Sequence, residues 1–257
     1  MFSERFLDDK SLKKIDKKFH KIINRTGIDK KTQDEVFDKY TLLTIEKLIS
    51  KKIINIIDFP ISTGKEGNVF RAITPKKKYI AIKIFRTSTS TFKHITEYIT
   101  GDPRFKSLHK NRKDIVNIWT KKEFKNLEIC QKIGVKVPKP IIFTDNVLVM
   151  QYIGNSKNAA PMIKDIIIEN PQEIFNIIIN YILLMYKKGK IVHSDLSAFN
   201  ILYYRKKPYI IDIGQGVLLE HPRSLEFLKR DIDNMVRYFK KYNIKADVNK
   251  IYNKIIN

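Results

Sequence analysis

The chain has 257 residues, 43% hydrophobic and 30% charged, which is enough apolar content to bury a core and too much for wholesale disorder. Fifty Lys and Arg against 27 Asp and Glu leave +23, a field that favours polyanions such as nucleotides, RNA, DNA or acidic proteins, although a Lys-, Ile- and Asn-rich composition gives the same excess without any partner. One Cys excludes a disulfide framework and a Cys-rich zinc site, the charged opening MFSERFLDDK is no signal peptide, and the apolar stretch 162–186 is broken by Lys164, Asp165, Glu169, Asn170 and Pro171, so a cytoplasmic protein without a membrane span is expected.

No internal repeat or low-complexity linker divides the chain. Residues 1–52 read as a helical extension: in TLLTIEKLISKKI the residues Leu42, Leu43, Ile45, Leu48 and Ile49 approximate one helical face. From Ile53 the pattern turns β-branched. IINIIDFPI, broken by Pro60, leads through the turn STGKEGN to VFRAIT and YIAIKIF, which PKKK joins as a hairpin. Residues 86–112 are polar and punctuated, with Thr87–Thr91 all Ser or Thr and then Gly101-Asp102-Pro103, and they read as a mobile insertion. Its end is basic, with Arg104, Lys106, Lys110, Arg112 and Lys113 as an expected RNA-contacting segment.

A helix is expected over 115–133, ended by Gly134. PIIFTDNVLVMQYIG reads as two strands turning at Asp145-Asn146, which completes a β-rich lobe over 53–153. The remainder, 154–257, reads as a helical lobe. It has a helix broken at Pro171 and stopped by Gly189, short strands at 200–204 and 209–213, and a helix over 224–242. The fold class is α+β.

Four features that carry chemistry fall in order along this pattern. Ser62-Thr63-Gly64-Lys65-Glu66-Gly67-Asn68-Val69 lies between two strands, where glycines and small hydroxyl residues let backbone N–H groups approach phosphate oxygens. It lacks the GK[ST] of a Walker A loop, and alone it is a common kind of turn. In Ile80-Ala81-Ile82-Lys83, strand alternation sets Ala81 and Lys83 on one face and the isoleucines on the other. A lysine there reaches nucleotide α- and β-phosphates if an anion fixes it. Glu123 is the first candidate and Glu128 the second.

In His193-Ser194-Asp195-Leu196-Ser197-Ala198-Phe199-Asn200, the Asp can orient or deprotonate a hydroxyl while the Asn oxygen binds Mg2+. Ile210-Ile211-Asp212-Ile213-Gly214 reads as a buried strand ending in a second metal-binding carboxylate. Each feature is modest alone. The ordered set points to a nucleotide-dependent phosphotransferase. His193 is expected to pack within its loop, and Trp119, Phe124 and Cys130 to be core.

The same residues resemble the protein-kinase superfamily. In detail STGKEGNVF, WTKKEFKNL, GVKVPKPI, NVLVMQYIG, HSDLSAFNILY and IDIGQGV are similar to the first, Rio-one, branch of the RIO family of atypical kinases over about 40–240. Gly67 stands where that family is expected to carry Ala. HSD lacks the arginine of ordinary kinases, DIG replaces DFG, no APE motif follows, and 45 residues follow Asp212.

The resemblance implies a two-lobed kinase fold with a short helical lobe lacking the peptide-docking helices, and ATP with Mg2+ (or Mn2+) between the lobes. Met150 resembles the gatekeeper, with Gln151 and Ile153 offering backbone groups to adenine. Ser62, Thr63, Gly64, Lys65, Glu66 and Val69 would cover the phosphates. Lys83, Asp195 and Asp212 would be catalytic, and Asn200 with Asp212 would bind metal. It further implies maturation of the small ribosomal subunit and contact with its rRNA, and an aspartyl phosphate at Asp212. Two rival readings remain: a small-molecule kinase of the aminoglycoside or choline type, and a non-catalytic, nucleotide-switched ribosome-binding scaffold.

Overall fold

Helix α1 (Lys39–Ser50) begins where the Asp38 carboxylate accepts from the Thr41 N–H at 2.8 Å, satisfying one of the amides that a helix start leaves unpaired. Its Ile45 and Leu48 are fully buried against Ile57, Phe70, Ile82 and Ile84 on one face of a sheet. The computed structural model describes residues 36–64, 67–87, 98–99, 102–105 and 112–257. The expected helical character of residues 1–35, most of the 86–112 insertion, and Lys65 and Glu66 lie outside those residues.

The sheet has five strands: β1 (Ile56–Thr63), β2 (Gly67–Ile73), β3 (Tyr79–Phe85), β4 (Pro140–Thr144) and β5 (Val147–Gln151). Their order is β1-β2-β3-β5-β4, with every pair antiparallel. Pro60 does not break β1. That strand lies at the sheet edge, where a missing N–H is tolerated, and the register shifts on both sides of the proline. Alternation in β3 divides the core as its sequence suggests. Ile80, Ile82 and Ile84 join the cluster under α1, and Ala81 and Phe85 join the larger cluster on the opposite face.

That larger cluster runs through helix α2 (Arg112–Lys132) into the C-terminal lobe. There α3 (Pro171–Leu184) takes Pro171 in its first turn, where the absent N–H costs nothing, and continues as a π-helical turn over Met185–Gly189. Two short pairs follow: β6 (Ile191–Val192) with β9 (Val217–Leu218), and β7 (Ile201–Tyr204) with β8 (Lys207–Ile210). Helices α4 (Ser224–Phe239) and α5 (Val248–Ile256) close the lobe. Among the described residues no helix is long and apolar enough to cross a membrane.

Two expectations differ from the structure: the segment 161–170, expected to be helical ahead of Pro171, holds only a 3-10 turn at Ile163–Asp165, and the second short strand ends early. β8 ends at Ile210, and Asp212 sits two residues past it in the left-handed region, at φ 58° and ψ 51°. The apolar run Ile210–Ile213 looks like strand, but its last residues form the turn that presents the carboxylate to the cleft.

Candidate active site

Lys83 stands at the centre of the cleft. It leaves β3 opposite Val69 of β2, and its ammonium donates to Glu123 Oε1 at 2.9 Å, Glu123 Oε2 at 2.7 Å and Asp212 Oδ1 at 2.6 Å. Burial alone would depress this ammonium, but the Asp212 and Glu123 carboxylates more than offset it, and its pKa lies above the ordinary lysine value. Glu123 is therefore the lysine's anion. Glu128 pairs with Lys125 on the exposed side of α2. The Asp212 carboxyl is held below the usual range by Lys83, and its side chain remains 47% exposed towards the cleft, whereas that of Glu123 is 1% exposed.

The catalytic-loop segment is anchored from two sides. His193 is fully buried. Its Nε2 faces Ile211 O at 3.1 Å and its Nδ1 accepts from the Asp195 N–H at 3.3 Å, so the neutral ring bridges the loops that carry Asp195 and Asp212. Asp231 on α4, also buried, accepts from the Ser194 and Leu196 N–H groups, each at 2.8 Å, and Arg230 bonds Ser194 O. Asn200 Nδ2 donates to Asp195 O at 2.8 Å and to Asp195 Oδ2 at 3.3 Å, which turns its Oδ1 the other way. Partial burial, and then the Asp212 charge, raise the Asp195 carboxyl above the ordinary aspartate value, in the direction that favours taking a proton.

The donor set fits a hard divalent cation. Lys83 takes one Asp212 oxygen, so the second, together with Asn200 Oδ1, offers oxygen ligands only, and no cluster of three His, Cys, Asp or Glu occurs among the described residues. Mg2+ bound with nucleotide needs few protein ligands, because phosphates and water complete its shell.

The glycine loop is less free than its sequence suggests. Ser62 and Thr63 end β1 opposite Val69 and Asn68, and the Gly64 N–H already donates to Gly67 O at 3.0 Å, closing the hairpin instead of pointing to a ligand. Gly67 does more than add backbone freedom, since a Cβ there would lie 2.4 Å from Ile84 O. At the end of β5, Met150 is buried and pairs with Ala81, and Gln151 pairs with Ile80. The Ile153 carbonyl is already engaged, accepting from the Ala160 N–H at 2.9 Å. Arg104, read as part of an RNA-contacting run, bonds both Asp102 oxygens and Asn126 Oδ1. Lys106 and Lys110 lie outside the described residues.

A five-stranded lobe with a helical lobe, a strand lysine shared between a helix glutamate and a loop aspartate, and a second loop aspartate beside the first, is the architecture of a protein-kinase-like phosphotransferase. Comparison narrows the class. The RIO domain family model matches residues 68–251. The RIO-type serine/threonine-protein kinase Rio1 of Haloferax volcanii is 38% identical over 222 residues, covering 86% of this chain and 76% of that one. Its namesake from Thermoplasma acidophilum is 44% identical over 183 residues, covering 71% and 96%. The serine/threonine-protein kinase rio1 of Dictyostelium discoideum is 39% identical over 241 residues, and those cover 91% of this chain and 41% of the relative.

Among solved structures, the Rio2 kinase of Chaetomium thermophilum has a TM-score of 0.69 at 20% identity, covering 96% of this chain and 76% of that one. The Rio2 kinase-ADP/Mg2+-phosphoaspartate complex from that organism has a TM-score of 0.65 at 20% identity, covering 82% and 65%. The chain belongs to the RIO family of ATP-dependent kinases, on the Rio1 branch.

Proposed function

We propose that this chain is an atypical serine/threonine protein kinase with ATPase activity that acts in maturation of the small ribosomal subunit in the cytoplasm. The observation that carries the catalytic reading is the Lys83 ammonium shared between Glu123 and Asp212. When ATP enters, Lys83 exchanges Asp212 for the α- and β-phosphates while Glu123 keeps it aimed. Met150, Gln151 and Ile153 seat the adenine, and Ser62, Thr63, Gly64, Lys65, Glu66 and Val69 cover the phosphates. Asn200 and Asp212 hold Mg2+, which neutralises phosphate charge when bound.

Two acceptors follow from this arrangement. With Asp195 as base, a Ser or Thr hydroxyl attacks the γ-phosphorus, the bond to the β-γ bridging oxygen breaks, and ADP leaves. With Asp212 as nucleophile, a carboxylate oxygen attacks the same phosphorus and ADP leaves, forming an acyl phosphate that water later hydrolyses; the net reaction is an ATPase. The open Asp212 carboxylate, its lowered pKa and the family resemblance favour the second path. The ribosomal role is supported by the resemblance and by the +23 charge, which suits rRNA.

The test is labelling with ATP carrying a radioactive γ-phosphate. The expected result is a label that Asp212→Ala abolishes and hydroxylamine releases. A hydroxylamine-stable label on Ser or Thr would assign transfer to the Asp195 path, and bound ATP with neither label nor turnover would make the protein a nucleotide-switched scaffold.

A further inference from the structure

Beyond Glu123, one face of α2 is built against the loop that follows Asp212. Trp119, Lys122, Glu123 and Asn126 fall at helical spacings of three and four, so all four meet the same neighbour. That neighbour is Ile213-Gly214-Gln215-Gly216, whose two glycines offer only backbone to hold. A Cβ at Gly214 would lie 3.0 Å from Glu123 Oε2 and 3.2 Å from the Trp119 ring, so the helix and the loop are in close contact.

Lys122 is fully buried and donates to Gly214 O at 2.8 Å and to Gly216 O. Asn126, also fully buried, donates to Ile213 O at 2.8 Å and Gly216 O at 3.0 Å. Arg104 then fixes the Asn126 amide from behind by donating to its Oδ1 at 3.0 Å, while Asp102 holds Arg104.

We propose that Lys122 and Asn126 are positioning residues that hold the Asp212 carboxylate in metal-binding geometry, and that Arg104 fixes Asn126 in the orientation this requires. The proposal rests on the reading of Asp212 as a nucleotide-metal ligand. Asp212 adopts a left-handed conformation, which an aspartate tolerates better than most residues but which still costs energy that the loop around it must offset. Four hydrogen bonds from Lys122 and Asn126 to three carbonyls, those of Ile213, Gly214 and Gly216, fix the turn that follows it. An ammonium without a directly bonded carboxylate is a costly way to fill a core. Among the described residues the charged neighbours of Lys122 are Asp102, Arg104 and Glu123; Asp102 is bound to Arg104 and Glu123 to Lys83. Its direct partners are loop carbonyls and the Trp119 ring at 5.2 Å.

The experiment is calorimetric titration of the full chain with ADP, with Mg2+ and with chelator, for Lys122→Met, Asn126→Ala and Arg104→Met. Lys125→Met, at an exposed position on the same helix, controls for loss of charge. Wild-type protein is expected to bind ADP more tightly with Mg2+. In Lys122→Met and Asn126→Ala that gain is expected to fall about tenfold, the upper end for one lost buried hydrogen bond, with metal-free affinity within about twofold of wild type. Arg104→Met should shift it the same way by less, and Lys125→Met should leave it unchanged. A folded Asn126→Ala protein that keeps the full Mg2+ gain overturns the proposal even if Lys122→Met fails to fold. Wild-type protein without any Mg2+ gain would instead overturn the reading of Asp212 beneath it.

Discussion

His193 shows how one residue can fix two loops through its protonation state. Burial pushes its pKa down to about 4, so the folded protein holds the neutral ring that accepts from the Asp195 amide and faces Ile211 O. The folded pKa lies below the unfolded one, near 6.5. This contribution is therefore complete above about pH 6.5 and is lost as the pH falls towards 4. Denaturant unfolding at about pH 7.5 and pH 5 should show wild-type protein losing about 2 kcal/mol more than His193→Gln, which cannot titrate there. Equal losses would remove His193 from the acid response. The burial of His193 was legible because no metal-ligand spacing surrounds it. Lys83 and Glu123 were legible from a strand alternation and a single helix. Lys122 was not, because nothing local separates a buried lysine from its many exposed neighbours in a Lys-rich helix. Asp231 was hidden likewise, since in SLEFLKRDIDNMV it reads as part of a charged face and only the approach of the catalytic loop gives it two amides to accept.

Helix α1 rests on its cap and on the two buried apolar side chains of Ile45 and Leu48. Asp38→Ala should cost about 1 kcal/mol of stability in denaturant melts, the usual value for an N-cap aspartate. Ile45, fully buried between α1 and the sheet, should cost about 2–5 kcal/mol as Ile45→Ala, from lost burial and the cavity left behind. A melt unchanged by Ile45→Ala would mean that α1 does not pack on the sheet. The β-strand pattern was readable wherever alternation was strict, as in β3. It misled at β8, where an apolar run continues through a turn, because periodicity carries no information about a left-handed residue. Pro60 looked like a strand breaker, and whether a proline is tolerated depends on which strand becomes the edge, a property of the whole sheet.

The molecule as a whole has two apolar clusters separated by the sheet: one covered by α1, the other continuous from the lower sheet face through α2 into the helical lobe. Ala81 and Phe85 beside Lys83, Leu196 beside Asp195 and Ile213 beside Asp212 all belong to the second, so the three candidate catalytic residues are carried by elements that share one core. The net charge of +23 belongs to this scale too. Filter binding of a structured RNA should weaken steeply between about 50 and 200 mM salt, because neutralised phosphates release counterions. A flat response would leave the charge as composition alone. The proposed role of Lys83 as the phosphate-binding lysine is tested by calorimetric titration of ATP with Mg2+ into wild-type and Lys83→Ala protein. The variant should lose about 1–3 kcal/mol of binding free energy, the range for a charge-assisted hydrogen bond. Unchanged ATP affinity in the folded variant would contradict it.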